Sequence, residues 1–172
     1  MKIFPLFTAI LACVVLSGCG YRLGSLGHPQ LKSVAVAPVT NDTLTYNAAA
    51  HLRGLLSESF QTDGTMKLTD MKKADCIVYA RITDTKFKAI SWSSRSSKGE
   101  DSYQPNQWQV NMSVEYSVII PGKAAPLIKN KTVKGSAQFM SGPDLEISRD
   151  YATRQAAFDA AKKIVSAITE AW

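Results

Sequence analysis

The chain has 172 residues, 45% of them hydrophobic, and a formal net charge of +6 at pH 7. This length suits one compact domain with a sizeable core and leaves little room for a second domain. The basic balance is compatible with acidic partners and equally with simple solubility. The cysteines are Cys13, Cys19 and Cys76, and we expect no intramolecular disulfide, because the first two belong to the N-terminal segment described next.

The N-terminal segment carries the most specific motif of the sequence. Lys2 precedes an apolar run, Ile3 to Leu16, that is too short for a permanent transmembrane helix but suits the core of a signal peptide. The run ends in Leu16-Ser17-Gly18-Cys19, in which a branched apolar residue and two small ones precede a cysteine, the pattern of a lipobox. We therefore expect removal of residues 1–18 and acylation of Cys19, so that the mature chain lies on a membrane without crossing it.

The next segments predict a tether, a strand and a helix. Residues 19–31 are rich in glycine, and the nearly continuous apolarity from Lys32 to Val39 indicates a strand buried on both faces. Thr40-Asn41-Asp42-Thr43 supplies turn and helix-capping side chains. Helical spacing up to Asp63-Gly64 then predicts a first helix, whose buried stripe is Ala48, Leu52, Leu55, Leu56 and Phe60.

Further strands are predicted in the middle of the chain, at Met66–Thr69, Ala74–Ile90, Trp108–Ile120 and Leu127–Phe139. Cys76 starts an apolar stretch, and we expect it to be a small buried residue rather than a reactive nucleophile. Ser91–Asn106 is predicted as a long, serine-rich loop. A functional loop and a plain solvated hairpin tip both remain open for it.

A second helix is predicted from about Asp150 to Trp172, and Gly142, Pro143 and Ser148 are alternative boundaries for its start. The order of elements predicts an α+β fold with residues 32–172 as a single domain. We expect a two-layer sandwich in which both helices cover one face of a four- to five-stranded, mostly antiparallel mixed sheet. The opposite face should be polar.

Catalytic motifs are scarce in the sequence. His28 and His51 have no metal-like spacing, and the chain contains neither a nucleophile motif nor a phosphate-binding glycine loop. We therefore expect no enzyme activity, no cofactor and no metal site.

The sequence Cys19-Gly20-Tyr21-Arg22-Leu23, followed after a short linker by the strand and turn from Ser33 to Thr43, resembles the LptE family of lipopolysaccharide-assembly lipoproteins. Members begin with a Cys-Gly-Tyr motif and continue into a strand that ends in a Pro-x-x-Asn-x-Thr-like turn. The resemblance implies a protein on the periplasmic side of the outer membrane that plugs the β-barrel LptD, supports its assembly and binds lipopolysaccharide. Residue 20 is Gly rather than Asp, which by resemblance to lipoprotein sorting in enteric-type bacteria implies transfer to the outer membrane.

The resemblance assigns only Cys19, as the lipidation site. Basic residues supply further candidates for contacts to lipid A phosphates or to a polar barrel lumen: Lys86, Lys88, Arg95, Lys98, Lys129, Lys131 and Lys134. Strand spacing predicts that Lys86 and Lys88 share one sheet face, and likewise Lys129 and Lys131. Trp92 and Tyr103 flank Arg95 and Lys98 in the predicted loop. A solvated basic face without a ligand is the alternative.

Two other functional classes stay open. The opening Val34-Ala35-Val36 with Pro38 is also similar to the TolB amino-terminal and CsgG-like modules, which implies a periplasmic regulatory or secretion-associated lipoprotein that binds peptidoglycan synthases or assembles into rings. A carrier for other lipids is the third alternative, and it would require an apolar cavity.

Overall fold

The computed structural model describes residues 28–97 and 100–170. The predicted first strand is divided into β1, Ser33–Val36, and β2, Thr40–Asn41. Pro38 lies between them and has no N–H for a sheet ladder. Residues 34–37 are buried, which confirms the expected burial on both faces of β1.

Helix α1, Ala48–Asp63, has the predicted bounds and the predicted buried stripe. It ends at Gly64, which adopts φ 70° and donates its N–H to the Phe60 carbonyl. Its first turn has no side-chain cap, and Asn47, with φ 54°, precedes it. The capping role predicted for residues 40–43 is therefore wrong, because Asn41 and Thr43 bond to one another in a turn before the helix.

The remaining strands are β3, Lys67–Leu68, β4, Cys76–Ser97, β5, Glu100–Ile119, and β6, Ile128–Met140. The sheet order is β3-β1-β4-β5-β6, with β2 paired to β4. Neighbours β4, β5 and β6 are antiparallel, whereas β1 is parallel to both β3 and β4. The predicted α+β class and mixed sheet are confirmed, and the division of the first strand brings the strand number to six.

The loop predicted at Ser91–Asn106 is wrong. β4 and β5 remain paired as far as Ser97 and Glu100, with register shifts near Ala89 and Trp92. We call residues 91–97 and 100–106 the ribbon. β6 ends at Met140, opposite Gln107, so the ribbon runs beyond the third strand of the sheet. The two strands of the ribbon satisfy each other's inward-facing backbone groups, and water can satisfy the outward-facing ones, so a serine-rich sequence can stay paired here without a core to cover it.

Helix α2, Leu145–Thr169, begins earlier than predicted, because Asp144 accepts a hydrogen bond from the Ile147 N–H and caps it. Its buried side is lined by small residues, chiefly Ala152, Ala156, Ala157, Ala160 and Ala161. Both helices pack with one face of the sheet into the main core. The other face has a small buried cluster near β1, made of Ala35, Ala37, Ala74 and Ile77, and is otherwise open. None of the described helices is long and apolar enough to cross a membrane.

Candidate functional site

The open face of the sheet carries the first pair of predicted site lysines. Up to Ile82, the even-numbered residues of β4 are buried under the helices. A register shift between Ile82 and Asp84 inserts one residue and reverses the alternation. Phe87 therefore packs against the core, and Lys86 and Lys88 lie on the open face. Without this bulge the two lysines would face the helices.

The register extends this basic region across two more strands. Lys86 lies opposite Asn111, which lies opposite Ser136, and Lys88 lies opposite Gln109. Lys134 lies opposite Ser113, one row along from Lys86. Lys134, which the sequence groups with Lys129 and Lys131, is instead placed near Lys86 by the pairing of β5 with β6. We call Lys86, Lys88 and Lys134 the open-face lysines.

The second predicted pair lies elsewhere. Lys131 is opposite Tyr116, whose side chain is buried, so Lys131 is on the helix side of edge strand β6. Asn130 adopts φ 46° and its side chain bonds to Ser117, and the register shifts at this point. The row of Tyr116 is five residues from that of Asn111 along β5, roughly 17 Å. The structure therefore does not bring Lys129 and Lys131 together with the open-face lysines.

Ion pairs reduce the charge of only part of this face. Lys86 Nζ lies 2.7 Å from Asp84 Oδ2, and the Lys86 side chain is 77% exposed. Arg81 contacts both Glu115 and Asp42, at 3.0 and 3.4 Å. In the described part of the chain, Lys88 and Lys134 form no ion pair within 4.0 Å. These two ammonium groups are the ones left to attract an anion.

The other candidates lie on or near the ribbon, or outside the described residues. Trp92 pairs with Pro105 and Tyr103 with Ser94, so strand alternation places both aromatic side chains on one ribbon face, where they are 55% and 71% exposed. Arg95 lies in β4 opposite Ser102. Lys98 and Cys19 are outside the described residues.

Cys76 is buried, as predicted, and its Sγ lies 3.6 Å from the Ser33 carbonyl oxygen. Burial raises the pKa of the Cys76 thiol to about 11, and the neighbouring Asp75 charge acts in the same direction. A thiol with this pKa is almost entirely protonated near neutral pH, so Cys76 fits a packing role. Among residues 28–97 and 100–170, no group of three His, Cys, Asp or Glu side chains is placed to hold a metal ion.

Sequence comparison decides the family. Residues 31–168 match the model of LptE, lipopolysaccharide-assembly. The chain belongs to the LptE family. It is therefore an outer-membrane lipoprotein of lipopolysaccharide assembly, in a family of non-enzymatic lipoproteins. A comparison with curated proteins finds no match.

Solved structures share the fold of this LptE-family chain at low identity. The hypothetical protein CT253 from Chlamydia trachomatis has a TM-score of 0.54 at 13% identity, covering 81% of this chain and 96% of its own. XCC0632 from Xanthomonas campestris has a TM-score of 0.54 at 11% identity, and the match covers 86% of this chain and 88% of that protein. A PelC dodecamer from Paraburkholderia phytofirmans has a TM-score of 0.52 at 13% identity, and the match covers 88% of this chain and 96% of the PelC chain. At these identities the likeness concerns the fold alone.

Proposed function

We propose that this chain is acylated at Cys19, occupies an LptD-like β-barrel from the periplasmic side of the outer membrane, and binds lipopolysaccharide through basic side chains. The family match over residues 31–168 is the observation that carries the proposal. In this assignment residues 1–18 are the removed signal peptide and residues 19–31 connect the lipid to the domain.

The open face of the sheet supports a partner with a polar lining. The helices cover the opposite face, and most side chains exposed on the part around the open-face lysines are amides, hydroxyls and charged groups, such as Asn111, Ser136 and Gln138. Tyr79 and Ile119 are exposed on the same face nearer to β1. Gln107 Nε2 donates to Gln138 Oε1, so neighbouring strands already exchange side-chain hydrogen bonds on this face. A surface of this kind can form hydrogen bonds with a wet barrel lumen without burying unpaired polar groups.

The open-face lysines support the lipopolysaccharide part of the proposal. Lys88 and Lys134 have no acidic partner within 4.0 Å in the described chain, and Lys86 has one exposed partner. Exposed ion pairs contribute only about 0–1 kcal/mol, so a phosphate can replace the Asp84 carboxylate at little cost. Each lysine near an anionic lipid surface contributes on the order of 1 kcal/mol of attraction.

Labelling and co-purification test the proposal together. Cells that express the chain are given labelled palmitate, and the protein is purified in mild detergent with its partners identified by mass. We expect label in the wild-type chain, none in Cys19→Ala, and an LptD-like barrel in the wild-type eluate. Cys76→Ala is the matched control, because it removes a thiol of the mature chain and leaves Cys19 in place.

Self-assembly is the result that would contradict the barrel assignment. One similar fold is that of PelC, whose solved structure is a dodecamer. If the detergent-purified chain forms a homo-oligomeric ring without a barrel, the ring-forming alternative replaces the proposed plug. Sedimentation of the purified complex separates a one-to-one complex from such a ring.

A further inference from the structure

Strand β4 has an unpaired backbone edge along its middle. On the side away from β5, β1 pairs with Cys76–Val78 and β2 pairs with Arg81 and Ile82. From Asp84 onward, in the described part of the chain, β4 pairs only with β5. The Asp42 N–H donates to the Ile82 carbonyl, and the chain then turns away from the sheet. The next stretch of β4 therefore has backbone donors and acceptors that no strand uses.

The unpaired stretch is regular. Register shifts lie between Ile82 and Asp84 and between Ala89 and Ser91, and the pairing is continuous between them. β-Bulges commonly keep an edge strand from pairing with another strand. The six residues from Asp84 to Ala89 contain no register shift, and this is the length of an ordinary strand. Thr85 Oγ1, within this stretch, is buried and has no hydrogen-bond partner in the described structure. We call Asp84–Ala89 the β4 edge.

The β4 edge lies in a cleft of about 620 Å³, between the loop before α1 and the first turns of α2. Asn41 orders that loop: its Nδ2 donates to the Thr45 carbonyl at 2.9 Å, and its Oδ1 accepts from the Thr43 N–H at 3.0 Å. The ordered loop holds Leu44 and Tyr46 outward, where they are 105% and 85% exposed. Two apolar side chains in a fixed exposed position are suited to packing against an incoming chain.

The cleft is acidic although the whole chain is basic. Its lining includes the carboxylates Asp42, Asp84, Glu146 and Asp150 and one cation, Arg149. Arg149 stacks on the Phe87 ring at 4.7 Å, and Asp42 and Asp84 pair with Arg81 and Lys86. In the described chain, Glu146 and Asp150 have no ion-pair partner within 4.0 Å. Their charge is available to a basic ligand.

We propose that the β4 edge binds an extended, lysine- or arginine-bearing segment of a partner protein by strand addition. Backbone hydrogen bonds to Asp84–Ala89 provide the affinity, and Glu146 and Asp150 select basic side chains. Leu44 and Tyr46 pack on apolar side chains of the bound segment, which alternate with its basic side chains. The inference does not depend on lipid binding or on the identity of the barrel, and it concerns the edge of the sheet rather than its open face.

Synthetic peptides test the proposal on the full-length chain in an uncharged detergent. The probe is a fluorescent octapeptide of alternating lysine and valine, compared with a glutamate–valine version and with two versions N-methylated at alternate residues. We expect the lysine peptide to bind and to slow hydrogen exchange within Asp84–Ala89. One methylated version should bind about tenfold more weakly or worse, because its methyl groups remove the N–H groups that face the edge. The glutamate peptide should not bind.

Charge reversal checks the selectivity. Glu146→Lys with Asp150→Lys should weaken binding of the lysine peptide about tenfold or more, whereas Glu58→Lys, an exposed acid on α1, should leave it unchanged. The proposal is overturned if the lysine peptide does not bind, if both methylated versions bind as well as the parent, or if charge reversal has no effect. Protection of the edge without peptide also overturns it. If that protection depended on protein concentration, a second copy of the chain would occupy the edge. If it did not, the chain's own N-terminal segment would occupy it.

Discussion

Gly135 on β6 lies directly against the backbone of Ala156 on α2, so closely that a Cβ at position 135 would come within 2.0 Å of the Ala156 carbonyl oxygen. The same Cβ would lie 2.9 Å from the Cβ of Ala160. Real Cβ atoms do not approach backbone this closely, so only glycine permits the observed packing of α2 on the sheet. The small residues on the buried side of α2 likewise allow the helix to lie close to the sheet.

Replacing Gly135 with alanine should lower the free energy of unfolding by about 1–3 kcal/mol, because the helix must shift away from the strand. Urea unfolding followed by circular dichroism measures the effect. Gly54→Ala is the matched control: a Cβ added to Gly54, within α1, would meet no atom within 4 Å apart from the adjacent backbone of its own helix, and alanine there should stabilise by about 0.5–1 kcal/mol. Equal effects of the two changes would contradict the proposed contact.

Helix α2 also protects the exposed edge of β6. Asp159 Oδ2 accepts the Ser136 N–H at 3.0 Å, and Lys163 Nζ donates to the Lys134 carbonyl at 2.8 Å. Removing both side chains, as Asp159→Ala with Lys163→Ala, exposes these backbone groups and should promote self-association through the edge. Light scattering over a concentration series detects it. Asp159→Asn keeps an acceptor oxygen and should remain monomeric, and aggregation of both variants alike would argue against edge protection.

Asp75 joins the start of β1 to the start of β4. Its Oδ2 accepts from Ser33 Oγ at 2.8 Å and from the N–H groups of Lys32 and Ser33. The Ser33 side-chain hydrogen bond, followed by the two backbone ones, lowers the pKa of Asp75 below its ordinary value. Its contribution to stability is therefore complete above the unfolded-chain pKa, about 4, and is lost as pH falls through the lower folded-state pKa.

The Asp75→Asn variant should consequently lose less stability than wild type on acidification below about pH 4, and should be the less stable protein at neutral pH. Urea midpoints measured across this pH range test the prediction. Asp70→Asn is the control, because it removes a carboxylate that takes no part in the hydrogen bonds to Lys32 and Ser33. A wild-type slope in Asp75→Asn would show that the carboxylate is not responsible.

The Cys76 thiol should resist modification in the folded protein, because it is buried and its pKa is raised to about 11. In a Cys19→Ala background lacking residues 1–18, an aromatic disulfide reagent should react only as fast as the protein unfolds, and urea should accelerate the reaction. Adding Ser93→Cys, an exposed ribbon position, provides a control thiol that reacts at once. Rapid reaction of Cys76 in the native state would contradict its burial.

Charge reversal separates the two predicted lysine pairs. Lys86→Glu with Lys88→Glu should weaken lipopolysaccharide binding at moderate salt about tenfold or more, because the change places negative charge beside Lys134 on the open face. Lys129→Glu with Lys131→Glu changes the net charge equally but away from the open-face lysines, and should have a smaller effect. Equal losses would indicate a general charge effect rather than binding at the open face.

Local sequence signals predicted most of the fold. The alternation at Val110, Met112 and Val114 placed β5 correctly, and Gly64 ended α1 as expected. The ribbon could not be predicted, because a two-stranded extension without a core gives no apolar alternation and its serines resemble a loop. The early start of α2 depended on one capping carboxylate, Asp144, among several plausible boundaries.

The candidate site was harder to predict, because residue spacing assumes unbroken strand alternation. That assumption predicts a shared face for Lys86 and Lys88, and the register agrees, but which face they occupy depends on the bulge before Asp84. At Lys129 and Lys131 the left-handed Asn130 interrupts the alternation. Lys134 approaches the first pair only through the pairing of three strands, a long-range property that one sequence does not show.

The 22 residues of β4 make this small protein long in one direction. At about 3.3 Å per residue the strand reaches roughly 70 Å, more than twice the hydrocarbon thickness of a bilayer, about 30 Å. The described chain begins beside the start of this strand, because Val34 lies next to Cys76. The strand therefore places Trp92 and Tyr103 far from the point where the described chain enters the domain. Removing residues in pairs from the β4 and β5 sides of the ribbon would shorten this distance and leave the core intact.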